Sequence, residues 1–317
     1  MNFGRANVEV FADTLLEFGQ LNHDILVVTS DSRGSGKLVP FGQMLPDQLI
    51  EVGIAEQNMV GVSAGLASTG KFVFAVSPAC FLTARALEQI KNDVAYSNNA
   101  VKVVGISAGV SYGALGSTHH SLHDYAVLRA INNIDILAPA DNFETREAIK
   151  AAITYSRPIY IRFGKKAMYE LHAPDAKFEI GKAISMQEGT DITFIAIGEP
   201  LQPALLAAEK LAVEDGLSCG VISMHTLKPF DTEALLKAAA NTKAIITVEE
   251  HSVYGGLGET CAAILMEKRL WMPFHIVGIP DEYTVTGSQS EIFDYYGISA
   301  DGLAHTARAL LSELEAS

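Results

Sequence analysis

Short, almost wholly apolar segments alternate with longer amphipathic segments along this chain, and this feature limits its possible folds most. In the first half, segments of strand length that are rich in Val and Ile occupy residues 24–30, 71–77, 101–107, 134–140 and 158–164. Continuous apolar strands separated by helices are typical of parallel sheets that are buried on both faces. The sequence therefore predicts an α/β fold with mostly parallel strands and helices on both sides of the sheet.

A second series of the same kind begins after a more polar segment. Its strand-like segments are residues 192–198, 218–224, 244–250 and 274–280, and its clearest helical segments are residues 201–216 and 231–240. A chain of 317 residues is long enough for about two domains. We predict two three-layer αβα domains, which cover residues 1–175 and 190–317.

The net charge limits the partners that we expect for this chain, and the cysteines indicate its compartment. The formal net charge of −14 argues against nucleic acid or an anionic membrane as the main partner, because both require clustered Lys and Arg. The three cysteines, Cys80, Cys219 and Cys261, are far apart and have no metal-ligand spacing, which indicates a reducing compartment. The chain begins without a signal-peptide pattern, and no apolar run approaches the ~20 residues of a membrane span. We expect a cytoplasmic protein.

Three of the predicted strand ends in the first domain have unusual sequences. They are TSDSRGSG, ISAGVSYGALGSTHHSLHD and IRFGKK. Ligands of open parallel sheets bind beyond the carboxyl ends of the strands, so these segments are candidates for a binding site. The middle segment is long and rich in Gly and His, and a loop of this length inside a compact domain is usually functional.

The segment EVGIAEQNMVGVSAGLASTG carries one charge after its first residue, Glu56. If the segment is helical, Glu56 shares a face with Val60, Ser63 and Ala67, and none of these can neutralise a carboxylate. Burial against such residues would raise its pKa and let it donate a hydrogen bond to a nitrogen base. A position at the helix N-terminus would instead stabilise the charge without any function. The residues alone leave both interpretations open.

This segment resembles the signature around the catalytic glutamate of transketolases and related thiamine-diphosphate enzymes. Further segments that resemble the family follow in the same order, namely FLTARALEQIKNDVAYS, GALGSTHHS, ILAPADNFETREAI, LKPFD and VEEHSVYGGLGE. The resemblance covers nearly the whole chain. The chain is thereby identified as a member of the transketolase family, with a pyrimidine-binding domain followed by a C-terminal domain.

The resemblance implies that Glu56 binds the aminopyrimidine ring of thiamine diphosphate and favours the imino form, which takes the thiazolium proton. The family holds the diphosphate and its Mg²⁺ with a Gly-Asp-Gly motif and a later Asn, and this sequence contains no GDG. We therefore expect one subunit of a split transketolase that has no metal ligand of its own, with the Mg²⁺ ligands on a separate diphosphate-binding subunit. An α2β2 heterotetramer is the expected assembly, and the small residues Gly61 and Gly65 would let the partner approach closely.

The resemblance also implies an aromatic residue that stacks on the pyrimidine and a histidine that faces the substrate. Phe81 is the expected stacking residue, although Leu82 could take the aligned position and Phe81 could belong to the core. His119 is expected to hydrogen-bond substrate oxygens and move protons at neutral pH. For His120 and His123 we expect supporting or structural roles. The alternatives for these histidines are a polar surface loop or a metal site.

Arg162 falls on the arginine that binds the sugar phosphate in the family, a task that suits its forked guanidinium. A surface arginine is the alternative. Ser35 is a second candidate phosphate contact. The sequence departs from the family at Leu115, which stands in place of an Asp that reads a substrate hydroxyl, and at Ser107, near the place of a phosphate-binding His. Arg5 is displaced from the position of another phosphate-site arginine.

These departures bear on the substrate. A leucine leaves a substrate hydroxyl without a partner, and unpaired polar groups in a site are costly. We therefore expect a branched or sulfonated ketose as donor rather than xylulose 5-phosphate. Two other functions are kept open: the beta subunit of a 2-oxo-acid dehydrogenase, and a non-catalytic regulatory partner. Arg162 and the STHH sequence favour transketolase over the first, and the presence of Glu56 and His119 argues against the second.

Overall fold

The computed structural model describes residues 2–173 and 175–315, and three sheets organise this part of the chain. The strands are β1 (Phe3–Ala6), β2 (Ile25–Thr29), β3 (Leu49–Glu51), β4 (Phe72–Pro78), β5 (Lys102–Ile106), β6 (Asp135–Leu137), β7 (Ile159–Arg162), β8 (Ala167–Tyr169), β9 (Ile184–Gln187), β10 (Ile192–Ile197), β11 (Cys219–Ser223), β12 (Thr226–Lys228), β13 (Ala244–Ser252) and β14 (Phe274–Ile279). β1 and β8 form a separate antiparallel pair.

The α-helices are α1 (Asn7–Leu21), α2 (Val39–Met44), α3 (Glu56–Ser68), α4 (Ala79–Arg85), α5 (Leu87–Gln89), α6 (Asp124–Arg129), α7 (Asn142–Ile153), α8 (Leu201–Asp215), α9 (Thr232–Asn241), α10 (Leu257–Glu267), α11 (Gln289–Tyr295) and α12 (Ala300–Glu315). Short 3₁₀ segments cover Pro46–Gln48 and Gly113–Thr118, and π-helical turns cover Ile90–Tyr96. Among the helices that the structure describes, we find none that is both long and apolar enough to cross a membrane.

The first sheet has the order β12-β6-β7-β5-β4-β2-β3 and is parallel except for β12. Every residue of β2 and β5 is buried, because helices cover both faces of the sheet. On one face α1 and α7 contribute Phe11, Leu15 and Ile149 to the core, and on the other face α3 and α4 contribute Met59 and Leu82. The continuous apolar strands predicted from the sequence are confirmed.

The second sheet has the order β14-β13-β10-β11-β9, in which only β9 is antiparallel to its neighbour. α8 and α12 cover one face with residues such as Leu211 and Leu303, and α9 and α10 cover the other with Leu235 and Leu257. The fold is therefore α/β with two αβα units, as predicted.

Two strands do not fit the domain limits predicted from the sequence. β9 precedes residue 190 but pairs with β11 in the second sheet. β12 follows residue 190 but pairs with β6 at the edge of the first sheet, where Thr226 lies opposite Leu137. The division into residues 1–175 and 190–317 therefore remains a proposal, and β9 and β12 cross its limits. Strands pair with their neighbours in space rather than in the order of the chain.

The segment between the two units is held by a buried histidine. His172 Nδ1 lies 2.9 Å from Asp141 Oδ2, and its Nε2 lies 3.1 Å from Glu144 Oε1. Asp141 is also the N-cap of α7, where it accepts a hydrogen bond from the Glu144 backbone N–H. Ser223, at the end of β11 in the second unit, donates a 2.5 Å hydrogen bond to Glu144 Oε1. The connecting segment and both units therefore meet at one charged cluster.

This cluster should make stability depend on pH. Burial lowers the pKa of His172, but its contacts with Asp141 and Glu144 outweigh this and raise the pKa from 6.5 to about 9. Because the pKa is higher in the folded state, the stabilisation is complete below pH 6.5 and is lost as the pH rises through about 9. We expect His172→Gln to lower the free energy of unfolding by roughly 1–3 kcal/mol near neutral pH and by much less in alkali. Urea unfolding across this range measures the difference.

The exposed His275 provides the matched control, because His275→Gln removes an imidazole that lies outside the cluster. The effect of His275→Gln on the free energy of unfolding should be small at every pH. If the loss of unfolding free energy caused by His172→Gln stays constant from about pH 6 to about pH 9.5, this contradicts the assignment of a charged His172.

Candidate active site

Glu56 is the first residue of α3, at the edge where the carboxyl ends of the parallel strands of the first sheet meet. Its side chain is only 5% exposed. It faces a cavity of about 500 Å³ that is lined by Ile54, Ala55, Glu56, Gln57, Asn58 and Arg85. A carboxylate that is buried at the wall of a cavity is placed to meet a ligand there, as expected for a functional group rather than a surface charge.

Arg85 is the direct partner of this carboxylate. Its Nη1 donates a hydrogen bond of 2.9 Å to Glu56 Oε1, and its guanidinium lies 4.3 Å from the centroid of the Phe81 ring. From the sequence we considered only the face of α3, where Val60, Ser63 and Ala67 cannot neutralise Glu56, and the charged partner comes instead from α4.

Three aromatic rings continue the site from Arg85. The Phe81 and His119 rings meet edge to face at 5.3 Å between centroids, and the Tyr112 and His119 rings meet in the same way at the same distance. Lys165 places its Nζ 4.6 Å from the centroid of the Tyr112 ring. We call Phe81, His119 and Tyr112 the ring cluster. Together with Lys165 it joins two of the three strand ends that the sequence analysis singled out, and Tyr112 and Lys165 were not foreseen.

The structure separates the two candidates for the stacking aromatic position. Leu82 is fully buried in the core under the first sheet, whereas Phe81 is partly exposed beside Arg85 and His119. This placement favours Phe81, and its stacking on a cofactor stays a prediction.

The other two histidines of the loop have partners within the protein. His120 is buried, with Nε2 3.0 Å from the Gly113 carbonyl oxygen and Nδ1 2.6 Å from Thr284 Oγ1. Burial lowers its pKa, so the ring is neutral near pH 7. His123 Nε2 lies 3.2 Å from Thr83 Oγ1. Within residues 2–173 and 175–315, no cluster of His, Cys, Asp and Glu has the composition of a metal site. These contacts agree with supporting roles.

Arg162 does not lie at the cavity but in a buried ion pair. Its Nη1 is 2.9 and 3.1 Å from the two carboxylate oxygens of Asp124, and its Nη2 donates to the Glu250 carbonyl oxygen at 3.0 Å. The side chain is only 5% exposed, and its predicted contact with a sugar phosphate stays a prediction. Lys165 is an exposed cation beside the Tyr112 ring of the cluster, and Arg85 is another beside Phe81. Ser35 is exposed in the turn after β2, and its predicted phosphate contact stays a prediction.

The three departures from the family pattern have different surroundings. Arg5 is exposed and pairs with Asp13 on α1, away from the cavity. Ser107 is buried at the end of β5 with a φ of 54°, a backbone conformation that is strained for a residue with a side chain. Leu115 is 54% exposed in the 3₁₀ segment between Tyr112 and His119. An apolar side chain is therefore open to solvent in the loop that carries the ring cluster.

Two family descriptions match the chain in succession. "Transketolase, pyrimidine binding domain" matches residues 4–170, and "Transketolase, C-terminal domain" matches residues 181–303. One subunit of the apulose-4-phosphate transketolase of Phocaeicola vulgatus is 49% identical over 94% of this chain and 95% of its own length. The 6-deoxy-6-sulfo-D-fructose transketolase subunit SqwH of a Clostridium species is 35% identical over 94% of this chain and 92% of its own length.

A solved structure agrees with these relatives. A split gene transketolase, described as an inactive β4 tetramer, superposes with a TM-score of 0.86 at 36% identity and covers 98% of this chain and 99% of its own. The family descriptions, the relatives and the solved structure all match this chain over nearly its entire length. The chain therefore belongs to the transketolase family, and it has the pyrimidine-binding and C-terminal domains of the split-transketolase type.

Proposed function

We propose that this chain supplies the pyrimidine-binding half of a thiamine-diphosphate site. A separate subunit supplies the diphosphate half and the Mg²⁺ ligands, in an α2β2 assembly. The assembled enzyme transfers a two-carbon ketol unit from a ketose phosphate to an aldose phosphate. The observation that carries this proposal is Glu56, a buried carboxylate at the wall of an open cavity, with one oxygen held by Arg85. Three free, buried cysteines fit the reducing cytoplasm that we expect.

The residues of the cavity fit one half of the cofactor. Glu56 offers a carboxylic oxygen for a ring nitrogen. The partly exposed Phe81 ring, which contacts the cavity residue Arg85, is the aromatic side chain that we propose for stacking on the heterocycle. The sequence contains no Gly-Asp-Gly motif for the diphosphate, in accord with a partner subunit that holds this end.

Thiamine diphosphate, when bound, supplies the carbon nucleophile on which ketol transfer depends. Glu56 would form the hydrogen bond to the pyrimidine nitrogen and share a proton with it, while Arg85, bonded to Oε1, fixes the orientation of the carboxyl group. His119, between Phe81 and Tyr112, presents a ring that hydrogen-bonds substrate oxygens and accepts or returns a proton.

Positive charge and an apolar side chain define the proposed substrate. Lys165, exposed beside Tyr112, takes the place that we predicted for Arg162 as a cation for the substrate phosphate. Leu115 offers no hydrogen bond to a substrate hydroxyl, which favours a branched or sulfonated ketose. The names of the two relatives make apulose 4-phosphate and 6-deoxy-6-sulfo-D-fructose the first donors to test.

The test is to co-express this chain with a diphosphate-binding transketolase subunit, purify the complex and assay ketose donors with aldose acceptors. We expect ketol transfer that requires both subunits, thiamine diphosphate and Mg²⁺. We also expect a branched or sulfonated ketose to give a higher kcat/KM than xylulose 5-phosphate. The mass of the complex in solution tests the α2β2 stoichiometry.

Three results would contradict the proposal in different parts. If kcat/KM is higher for xylulose 5-phosphate than for every modified ketose, the donor preference that we infer from Leu115 is wrong. Oxidative decarboxylation of a 2-oxo acid by the pair, without ketol transfer, would favour the dehydrogenase alternative. Cofactor binding and turnover that do not respond to Glu56→Ala would favour the non-catalytic alternative.

A further inference from the structure

The loop that carries His119, residues 107–123, lies on the C-terminal domain at both of its ends. Near its start the Val110 backbone N–H donates to Glu250 Oε1 at 2.9 Å, and near its end the Leu122 carbonyl oxygen accepts from the Ser252 backbone N–H at 3.2 Å. Glu250 is fixed in turn, because Gln289 Nε2 donates to it at 2.8 Å and to Glu199 at the same distance. We call residues 107–123 the His119 loop.

Thr284 holds the middle of the His119 loop. Its Oγ1 lies 2.6 Å from His120 Nδ1 and 2.9 Å from Ser117 Oγ, and its backbone N–H donates to Ser117 Oγ at 3.0 Å. A carbonyl oxygen can only accept, so the contact between His120 Nε2 and Gly113 O assigns the ring proton to Nε2. His120 Nδ1 is then an acceptor, and the Thr284 hydroxyl donates to it. The Ser117 hydroxyl donates to Thr284 Oγ1, which completes the network.

The backbone of the His119 loop also approaches the C-terminal domain too closely for side chains. A Cβ at Gly113 would lie 2.4 Å from the Gly287 carbonyl oxygen, and a Cβ at Gly109 would lie 2.2 Å from the Glu250 carboxyl carbon. Both glycines have positive φ, of 51° and 59°. The loop and the C-terminal domain therefore fit each other as one packed surface.

His119 stands between two residues that this network anchors. Ser117 and His120 both contact Thr284, whereas the His119 ring contacts Phe81, Tyr112 and Thr118 Oγ1, which lies 3.0 Å from its Nδ1. We propose that the C-terminal domain positions the His119 loop for catalysis, and that Thr284 is a positioning residue that acts through Ser117 and His120. The proposal rests on the proposed function, because it takes His119 as the group that faces the substrate.

The test compares Thr284→Val, which keeps the shape and removes the hydroxyl, with Thr284→Ser, which keeps the hydroxyl. In the complex with the diphosphate-binding subunit, we expect Thr284→Val to lower kcat roughly 10-fold or more and to leave the apparent cofactor affinity within about twofold. Thr284→Ser should retain most of the activity. Thr306→Val is the matched control, because the Thr306 hydroxyl donates to the Gly302 carbonyl oxygen within its own helix, α12.

Two further measurements separate positioning from general instability. Hydrogen exchange at the amides of residues 117–120 should accelerate in Thr284→Val and not in Thr284→Ser. Thr284→Val should cause little further loss of kcat when His119 is already Ala, because it acts through His119. The proposal is overturned if Thr284→Val leaves both exchange and kcat unchanged, or if Thr284→Ser is impaired as strongly as Thr284→Val.

The exchange measurement keeps the two proposals distinguishable. If His119→Ala leaves ketol transfer unchanged, the assigned role of His119 fails, while faster exchange in Thr284→Val still establishes that Thr284 holds the loop. If the enzyme depends on His119 but Thr284→Val exchanges and turns over like the wild type, only the positioning proposal fails.

Discussion

Replacing Glu56 with Gln should lower kcat of the assembled enzyme by on the order of 10²-fold or more, which is the loss expected for an acid–base group. Glutamine keeps the size of the side chain, and its amide oxygen can still accept the hydrogen bond that Arg85 donates to Glu56. It has no acidic proton to place toward a pyrimidine nitrogen. The variant therefore removes the proton and changes the shape of the cavity little.

The measurement is steady-state kcat with saturating cofactor, together with the thermal unfolding midpoint of the isolated chain. Glu88→Gln is the matched control, since Glu88 is an exposed carboxylate in the next helical segment after Arg85. We expect wild-type turnover for the control and a nearly unchanged unfolding midpoint for both variants. Turnover of Glu56→Gln within about threefold of the wild type would remove Glu56 from the catalytic machinery.

Arg162→Met should destabilise the chain by about 3–5 kcal/mol, because it leaves Asp124 as a buried carboxylate without its ionic partner. Asp124 is fully buried, and its remaining hydrogen bond comes from the Tyr160 hydroxyl at 2.7 Å. The variant also removes the donor to the Glu250 carbonyl oxygen, which joins the first sheet to the C-terminal domain. Urea unfolding of the isolated chain measures the loss.

Two further variants make this result specific. Arg146→Met breaks an exposed pair with Glu17 and should cost about 1 kcal/mol or less. Arg162→Met combined with Asp124→Asn should recover part of the stability, because the unpaired charge is removed as well. If Arg162→Met instead raises KM for phosphorylated donors and leaves stability unchanged, the phosphate contact predicted from the sequence is correct and our interpretation of the ion pair is wrong.

The candidates Glu56, Phe81 and His119 came from the resemblance to the transketolase family. They follow β3, β4 and β5, and the structure brings the last two into direct contact. The buried ion pair of Arg162 was not predicted. Arg162 is the last residue of β7, and a position at a strand end does not reveal whether a side chain points to the cavity or to a neighbouring domain.

The sequence by itself determined the two αβα units, the order of their strands along the chain and the absence of a diphosphate motif. These features depend on local periodicity and on short motifs, which a linear sequence displays directly. Only the tertiary structure decided the charge partners. Arg85 meets Glu56 across 29 positions and Arg162 meets Asp124 across 38, and Thr284 reaches Ser117 across 167. Electrostatic and hydrogen-bond energies depend on distance in space, so separations of this length along the chain contain no signal of the contact.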